Sequence, residues 1–176
     1  PPPPSPPVSP HPLFALISSS PAHLSTIPLT PRAPAGPPAD MRRLDELLAP
    51  TNVLVISDEV YEHMVYAPLR HESVARYPGL AARAFIVSSF GKTYHVTGWK
   101  VGYVAAPAAL MAEFRKVHQF NVFTVNTPMQ VGLAAYMQDP APYLELPAFY
   151  DAKRQLFRDG LAKTKFRLLP CEGTYF

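Results

Sequence analysis

A chain of 176 residues is long enough for one domain, and its 48% hydrophobic residues are enough to build a core. Its 16 Lys and Arg against 13 Asp and Glu give a formal net charge of +3. The basic residues are scattered without a basic run, so no nucleic-acid partner is expected. No apolar stretch has the length to span a bilayer, so no membrane is expected either. A single cysteine, Cys171, permits no internal disulfide and suits a reducing, cytoplasmic compartment, where it reads as a small apolar side chain beside Pro170.

Residues 1–38 differ from the rest. They hold 14 of the 23 prolines, and Arg32 is the only charged side chain before Asp40. Proline removes backbone donors, and the segment offers little periodic apolar surface. It reads as a proline-rich leader, disordered or wrongly joined to the body. The run Leu13-Phe14-Ala15-Leu16-Ile17 is too brief for a signal-peptide core, and no basic residue precedes it.

From Asp40 the pattern becomes that of a folded α/β domain. Asp40 is placed to N-cap a helix over residues 41–48, stopped by Pro50. Residues 53–56 are four apolar β-formers in a row, which predicts a strand buried on both faces. Pro78-Gly79 marks a turn, residues 80–83 add a helical turn, and residues 84–87 predict a second buried strand. Residues 101–106 predict a further strand ending at Pro107. Residues 108–120 predict an amphipathic helix with Leu110, Met111, Phe114 and Val117 on one side. Asn126-Thr127-Pro128 is a helix start that should run through Met137; Pro140 and Pro142 interrupt, and a longer helix is expected from Pro147 to about Lys163.

Two short segments carry the chemistry. Asp58 falls at the carboxyl end of the first predicted strand, where open α/β sheets place their ligands, and Tyr61 follows three residues later. Lys92 follows the 84–87 strand, in the run Ser88-Ser89-Phe90-Gly91-Lys92-Thr93, with Lys100 eight positions on. A lysine held where a strand becomes a turn is partly desolvated by its neighbours, which lowers the ammonium pKa and frees a nucleophilic amine for imine formation. The Ser89 hydroxyl and the Lys100 cation can both reach a phosphate. An imine-forming lysine with a phosphate anchor meets the needs of pyridoxal 5′-phosphate. A carboxylate at Asp58 can pair with a protonated ring nitrogen, and Tyr61 can donate to the ring's phenolate oxygen. The spacing of a phosphate-binding P-loop is absent around Gly91-Lys92-Thr93.

The sequences Asp58-Glu59-Val60-Tyr61-Glu62-His63 and Ser89-Phe90-Gly91-Lys92-Thr93, continued by Thr97-Gly98-Trp99-Lys100-Val101-Gly102, closely resemble the class I/II pyridoxal-phosphate aminotransferases of fold type I. The likeness runs from about Asp40 to Phe176 and is nearest to the kynurenine and methionine aminotransferase branch. It implies a mostly parallel sheet flanked by helices, in part of a large domain over residues 39–138. An interdomain helix and the first strand of a truncated small domain would follow over residues 139–176, the strand beginning near Arg167. It implies Lys92 as the Schiff-base lysine and proton carrier, Asp58 at the pyridine nitrogen, Tyr61 at the 3′-oxygen, and Ser89 and Lys100 at the phosphate. The activity implied moves an amino group from a large neutral amino acid (methionine, an aromatic residue or kynurenine) to a 2-oxo acid, in an enzyme whose full-length members are homodimers. The alternative is a non-catalytic, truncated relic of such an enzyme. Leu29-Thr30-Pro31-Arg32-Ala33-Pro34-Ala35-Gly36 resembles the family's N-T-P-x-N-P-T-G with both asparagines replaced, leaving Ala33 where a ring-oxygen donor is expected.

Among the remaining residues, His63, His95 and His118 have no metal-ligand spacing with each other or with Cys171, so packing roles and no metal are expected. His71 beside Glu72 reads as a solvated loop pair. Trp99 is expected beneath the Lys92 loop, and Gly98 and Gly102 where backbones approach closely.

Overall fold

Apolar residues recur in helix α1 (Pro38–Leu48) at Met41, Leu44 and Leu48, and this stripe is what fastens the helix to a sheet. The computed structural model describes residues 38–174 and the backbone of residues 14–18. Its sheet has four strands in spatial order β1 (Phe14–Ser18), β2 (Leu54–Asp58), β3 (Ala84–Ser89) and β4 (Gly102–Ala105). The first three are parallel and β4 pairs antiparallel with β3. Between them lie a short 3-10 turn (Val74–Arg76), helix α2 (Pro78–Ala81) and the one-turn helix α3 (Phe90–Thr93). After β4 come α4 (Ala108–Asn121), α5 (Thr127–Tyr136), α6 (Ala141–Leu144) and α7 (Leu146–Leu161).

Strand alternation sorts the side chains into two faces. Val55 and Ala84 join Met41, Leu44, Leu48, Val74 and Leu80 in the main core beneath α1. Phe85 points the other way and meets Phe114 of α4, ring centroids 6.1 Å apart. The sheet is therefore covered by α1 on one face, and α4 reaches the other through Phe114, in keeping with an α/β arrangement. A second cluster, Tyr61, Met64 and Leu146, packs the turn after β2 against the start of α7.

Several sequence expectations change. Helix α1 begins at Pro38, so Asp40 lies inside the first turn and does not cap it. Proline fits the first turn because its missing N–H is not needed there, and the carboxylate still faces the positive end of the helix. Strand β2 runs to Asp58 and its burial alternates, in place of the burial on both faces that four apolar residues suggested. Residues 14–18, assigned to the unstructured leader, pair in parallel with β2, Ser18 opposite Asp58. Apolar residues with a ready strand edge beside them gain ladder hydrogen bonds that composition cannot reveal. The rest of the leader up to residue 37, including the 29–36 motif and Ala33, lies outside the described residues, as do residues 175–176. From Arg167 onward the expected strand is reduced, among the described residues, to one antiparallel bridge between Val65 and Gly173. Val117 is exposed and Leu110, Met111 and Phe114 are only half-buried, so α4 presents a weaker apolar face than its pattern suggested.

Candidate active site

Parallel pairing of β2 and β3 brings their carboxyl ends to one edge, and the candidate residues gather there. Asp58 is the last residue of β2, opposite Val87, and shares a sheet face with Ser89, the last residue of β3. One Asp58 oxygen, Oδ1, accepts from the Val60 N–H at 3.2 Å, and the other has no hydrogen bond among the described residues. The chain then turns through Glu62 N–H to Glu59 O and Met64 N–H to Tyr61 O, which tucks the Tyr61 ring into the second core cluster.

Lys92 is carried by α3, directly after β3. Ser89 caps that helix: its Oγ accepts from Gly91 N–H at 3.0 Å and donates to Val101 O at 3.3 Å. Val101 O also accepts Phe90 N–H, so the backbone at Lys100 lies one residue from the start of α3. Thr97 Oγ1 donates to Gly91 O at 3.0 Å and closes the loop. Lys92 is half-buried, its Nζ 6.0 Å from the centre of the Tyr61 ring, with no ion pair among the described residues. Lys100 is exposed and left-handed (φ 57°) at the end of the 3-10 turn Thr97–Trp99. The amine thus stands beside a phenol, at the end of the sheet where Asp58 closes β2 and Ser89 closes β3, and Asp58 keeps one carboxylate oxygen with no hydrogen bond among the described residues. Such a set can hold a group with an electrophilic carbon, a basic ring nitrogen and an anionic end.

Residues 28–176 match the family model for aminotransferase class I and II. The chain belongs to that family. Over 150 residues it is 50% identical to methionine aminotransferase of Escherichia coli (strain K12), covering 85% of this chain and 39% of that enzyme. Kynurenine–oxoglutarate transaminase of Dictyostelium discoideum is 35% identical over 128 residues, 71% of this chain and 29% of that one. A solved Escherichia coli structure identified with a methionine aminotransferase function superposes with a TM-score of 0.82 at 45% identity, over 93% of this chain and 41% of that chain. N-succinyldiaminopimelate aminotransferase of Mycobacterium tuberculosis gives 0.81 at 30% identity, over 96% of this chain and 42% of that chain. The chain therefore spans between 29% and 42% of the length of these aminotransferases.

Within this aminotransferase frame the structure places other residues differently from the sequence reading. His71 is not solvated and does not pair with Glu72: its Nε2 lies 2.8 Å from Glu59 Oε2, and both side chains are largely buried. Glu72 instead receives Arg76 and Tyr77. A local reading pairs neighbours in sequence, whereas the fold brings together residues twelve apart. Glu62 accepts from Ser88 Oγ at 3.0 Å and Tyr103 OH at 2.8 Å, and the Tyr103 hydroxyl is pushed up to about 12 by burial and by that carboxylate. Trp99 is 40% exposed, and the tight contact inside the loop is made by Gly91, whose missing Cβ would fall 2.8 Å from Thr97 Cα. Gly98 faces open space, while Gly102 does permit a close approach: a Cβ there would sit 2.7 Å from Ser88 O. His63 stacks near Tyr143, centroids 4.8 Å apart, and His118 stacks on Phe114. The signal for Glu59 was present in the Asp58–His63 motif, but nothing local showed where its carboxylate goes.

Proposed function

We propose that this chain carries the lysine half of a pyridoxal-phosphate-dependent aminotransferase, in which Lys92 holds the cofactor covalently. The observation that carries the reading is Lys92 Nζ standing 6.0 Å from the Tyr61 ring at the sheet edge where Asp58 ends β2. The cofactor supplies an aldehyde that takes up an amine and a ring that accepts an electron pair. The donor set fits that group in most respects. Asp58 has an oxygen to offer a ring nitrogen, and Tyr61 lies beside the lysine where a phenol can serve the ring oxygen. Lys100 has a cation with no ion pair among the described residues. The fit is partial at Ser89, whose proton is given to Val101 O; that bond is long, and Ser89 must release it to donate to a phosphate.

In this reading Lys92 binds the cofactor and, once displaced by an amino donor, carries the proton to and from the substrate's α-carbon. Asp58 keeps a proton on the ring nitrogen by its charge, and Tyr61 orients the ring. Oriented reactants are worth roughly 7–11 kcal/mol of barrier in favourable cases, so these contacts matter as much as the amine. The amino donor is proposed to be a large neutral amino acid, with a 2-oxo acid as acceptor. The relatives named for methionine and kynurenine support that class, and the one named for N-succinyldiaminopimelate sits outside it. The proposal includes residues 39–138 as part of the large domain, residues 139–176 as the start of a small one, a homodimeric whole enzyme and a cytoplasmic setting. No helix among the described residues is long and apolar enough to cross a membrane.

Borohydride reduction of the purified chain with pyridoxal phosphate, followed by peptide mapping, tests the site. The expected result is a pyridoxyl label on Lys92. A label on another lysine overturns the assignment, and no label at all supports the non-catalytic relic.

A further inference from the structure

We propose that Glu59 is a positioning residue of this site, acting through its buried carboxylate to fix where Asp58 and Tyr61 point. Strand alternation puts Glu59 and Ser57 on the α1 side of the sheet and Asp58 on the other, so Glu59 does not share the face of Asp58. It is 3% exposed. Its Oε1 accepts from Ser57 Oγ at 2.9 Å and from Val74 N–H at 3.1 Å, and its Oε2 lies 2.8 Å from His71 Nε2. Its backbone N–H donates to Val87 O at 2.8 Å. One residue thus ties the end of β2 to β3 and to the 71–74 segment, at the point where the chain leaves the sheet.

The residues proposed to meet the cofactor lie just before and just after this anchor. Asp58 precedes it and Tyr61 follows two residues later, inside a turn held by Glu62 N–H to Glu59 O. A rotation of the Glu59 backbone would redirect Asp58 and move the Tyr61 ring relative to Lys92 at the same time. A buried carboxylate held by several donors is a costly arrangement for surface packing alone, since an apolar pair would fill the space without desolvating a charge. The inference rests on the reading of Asp58 and Tyr61 as cofactor contacts.

Glu59→Gln separates the two ideas. The amide keeps the volume and one acceptor for Ser57 and Val74, but removes the charge and puts an N–H opposite His71 Nε2, which can accept it only by moving the ring proton to Nδ1, a buried atom with no partner among the described residues. The expected result is an unchanged far-ultraviolet circular dichroism spectrum, about tenfold weaker uptake of pyridoxal phosphate by absorbance titration, and a shifted pH midpoint of the bound cofactor's visible band. His71→Leu, which removes the donor to Oε2, should weaken uptake similarly, while His71→Gln, which keeps a donor, should restore it. Asp58→Ala is the control for the underlying reading. If Asp58→Ala loses cofactor while Glu59→Gln and His71→Leu bind as the parent does, the positioning role is overturned and the site reading stands. If Asp58→Ala also binds normally, or the parent takes up no cofactor, the site reading fails and this inference with it. If Glu59→Gln does not fold, the His71 pair decides: equal behaviour of Leu and Gln overturns the proposal.

Discussion

Gly91→Ala tests how the loop that holds Lys92 is built. Gly91 has a negative φ, so alanine is allowed by the backbone, and it lies in α3, where alanine is preferred. Those two terms favour the variant by at most about 1 kcal/mol. Against them, the new Cβ would stand 2.8 Å from Thr97 Cα and 3.1 Å from Ser89 Oγ. The first neighbour is backbone and cannot rotate away. Forced repacking of this kind costs about 1–3 kcal/mol. Moving Thr97 also strains its 3.0 Å bond to Gly91 O, a further ~0.5–1.5 kcal/mol. The clash wins, with a net loss of about 2 kcal/mol. Gly98→Ala is the internal control, because a Cβ there meets nothing within 4 Å and should leave stability unchanged or slightly raised. Urea unfolding of the three proteins, with equal slopes, reads the difference directly. A Gly91→Ala midpoint equal to the parent's, or an equal loss in Gly98→Ala, would refute the reasoning. The same displacement should reduce borohydride labelling of Lys92 in Gly91→Ala and leave it intact in Gly98→Ala.

Lys92→Ala should abolish the pyridoxyl label while leaving the circular dichroism spectrum unchanged, as mass spectrometry of the reduced protein will show. Asp58→Ala should weaken uptake of pyridoxal phosphate by about ten- to a hundredfold, the range for losing a hydrogen bond to a charged group, measured by fluorescence titration. Leu80→Ala, at a fully buried position of the main core, should cost about 3 kcal/mol in urea unfolding. Acid should destabilise the fold in two stages. Burial pushes His63 down, opposed by Glu62 and aided by His71; burial pushes Glu59 up, but its bonds from His71, Ser73 and Ser57 outweigh this and hold it low. Both folded values lie below the ordinary 6.5 and 4.5, so the stability each contributes is present above those values and is lost as pH falls beneath them. His63→Phe should remove the first stage of a melting-temperature profile, and parallel profiles for variant and parent would contradict it.

The sequence alone determined the β2 and β3 segments and the helices α4, α5 and α7 within a few residues, while α6 formed where Pro140 and Pro142 were read as an interruption, because proline is accepted in a first helical turn. That Asp58 and Ser89 end their strands and that Lys92 follows directly after β3 was legible because strand ends and turns are written in local apolar runs and in glycine and hydroxyl positions, which act over a few residues. The tertiary structure decided what depends on distant partners. A strand at residues 14–18 forms because β2 offers a free edge, and no property of a proline-rich segment announces that edge. His71 lost its assigned partner Glu72 because burial against Glu59, twelve residues away in sequence, outweighs adjacency. Gly91 makes the tight contact with Thr97, a placement set by the folding back of one loop on itself. Side chains are selected for a site by sequence, but the hydrogen bonds that aim them are chosen only when the sheet brings its strand ends together.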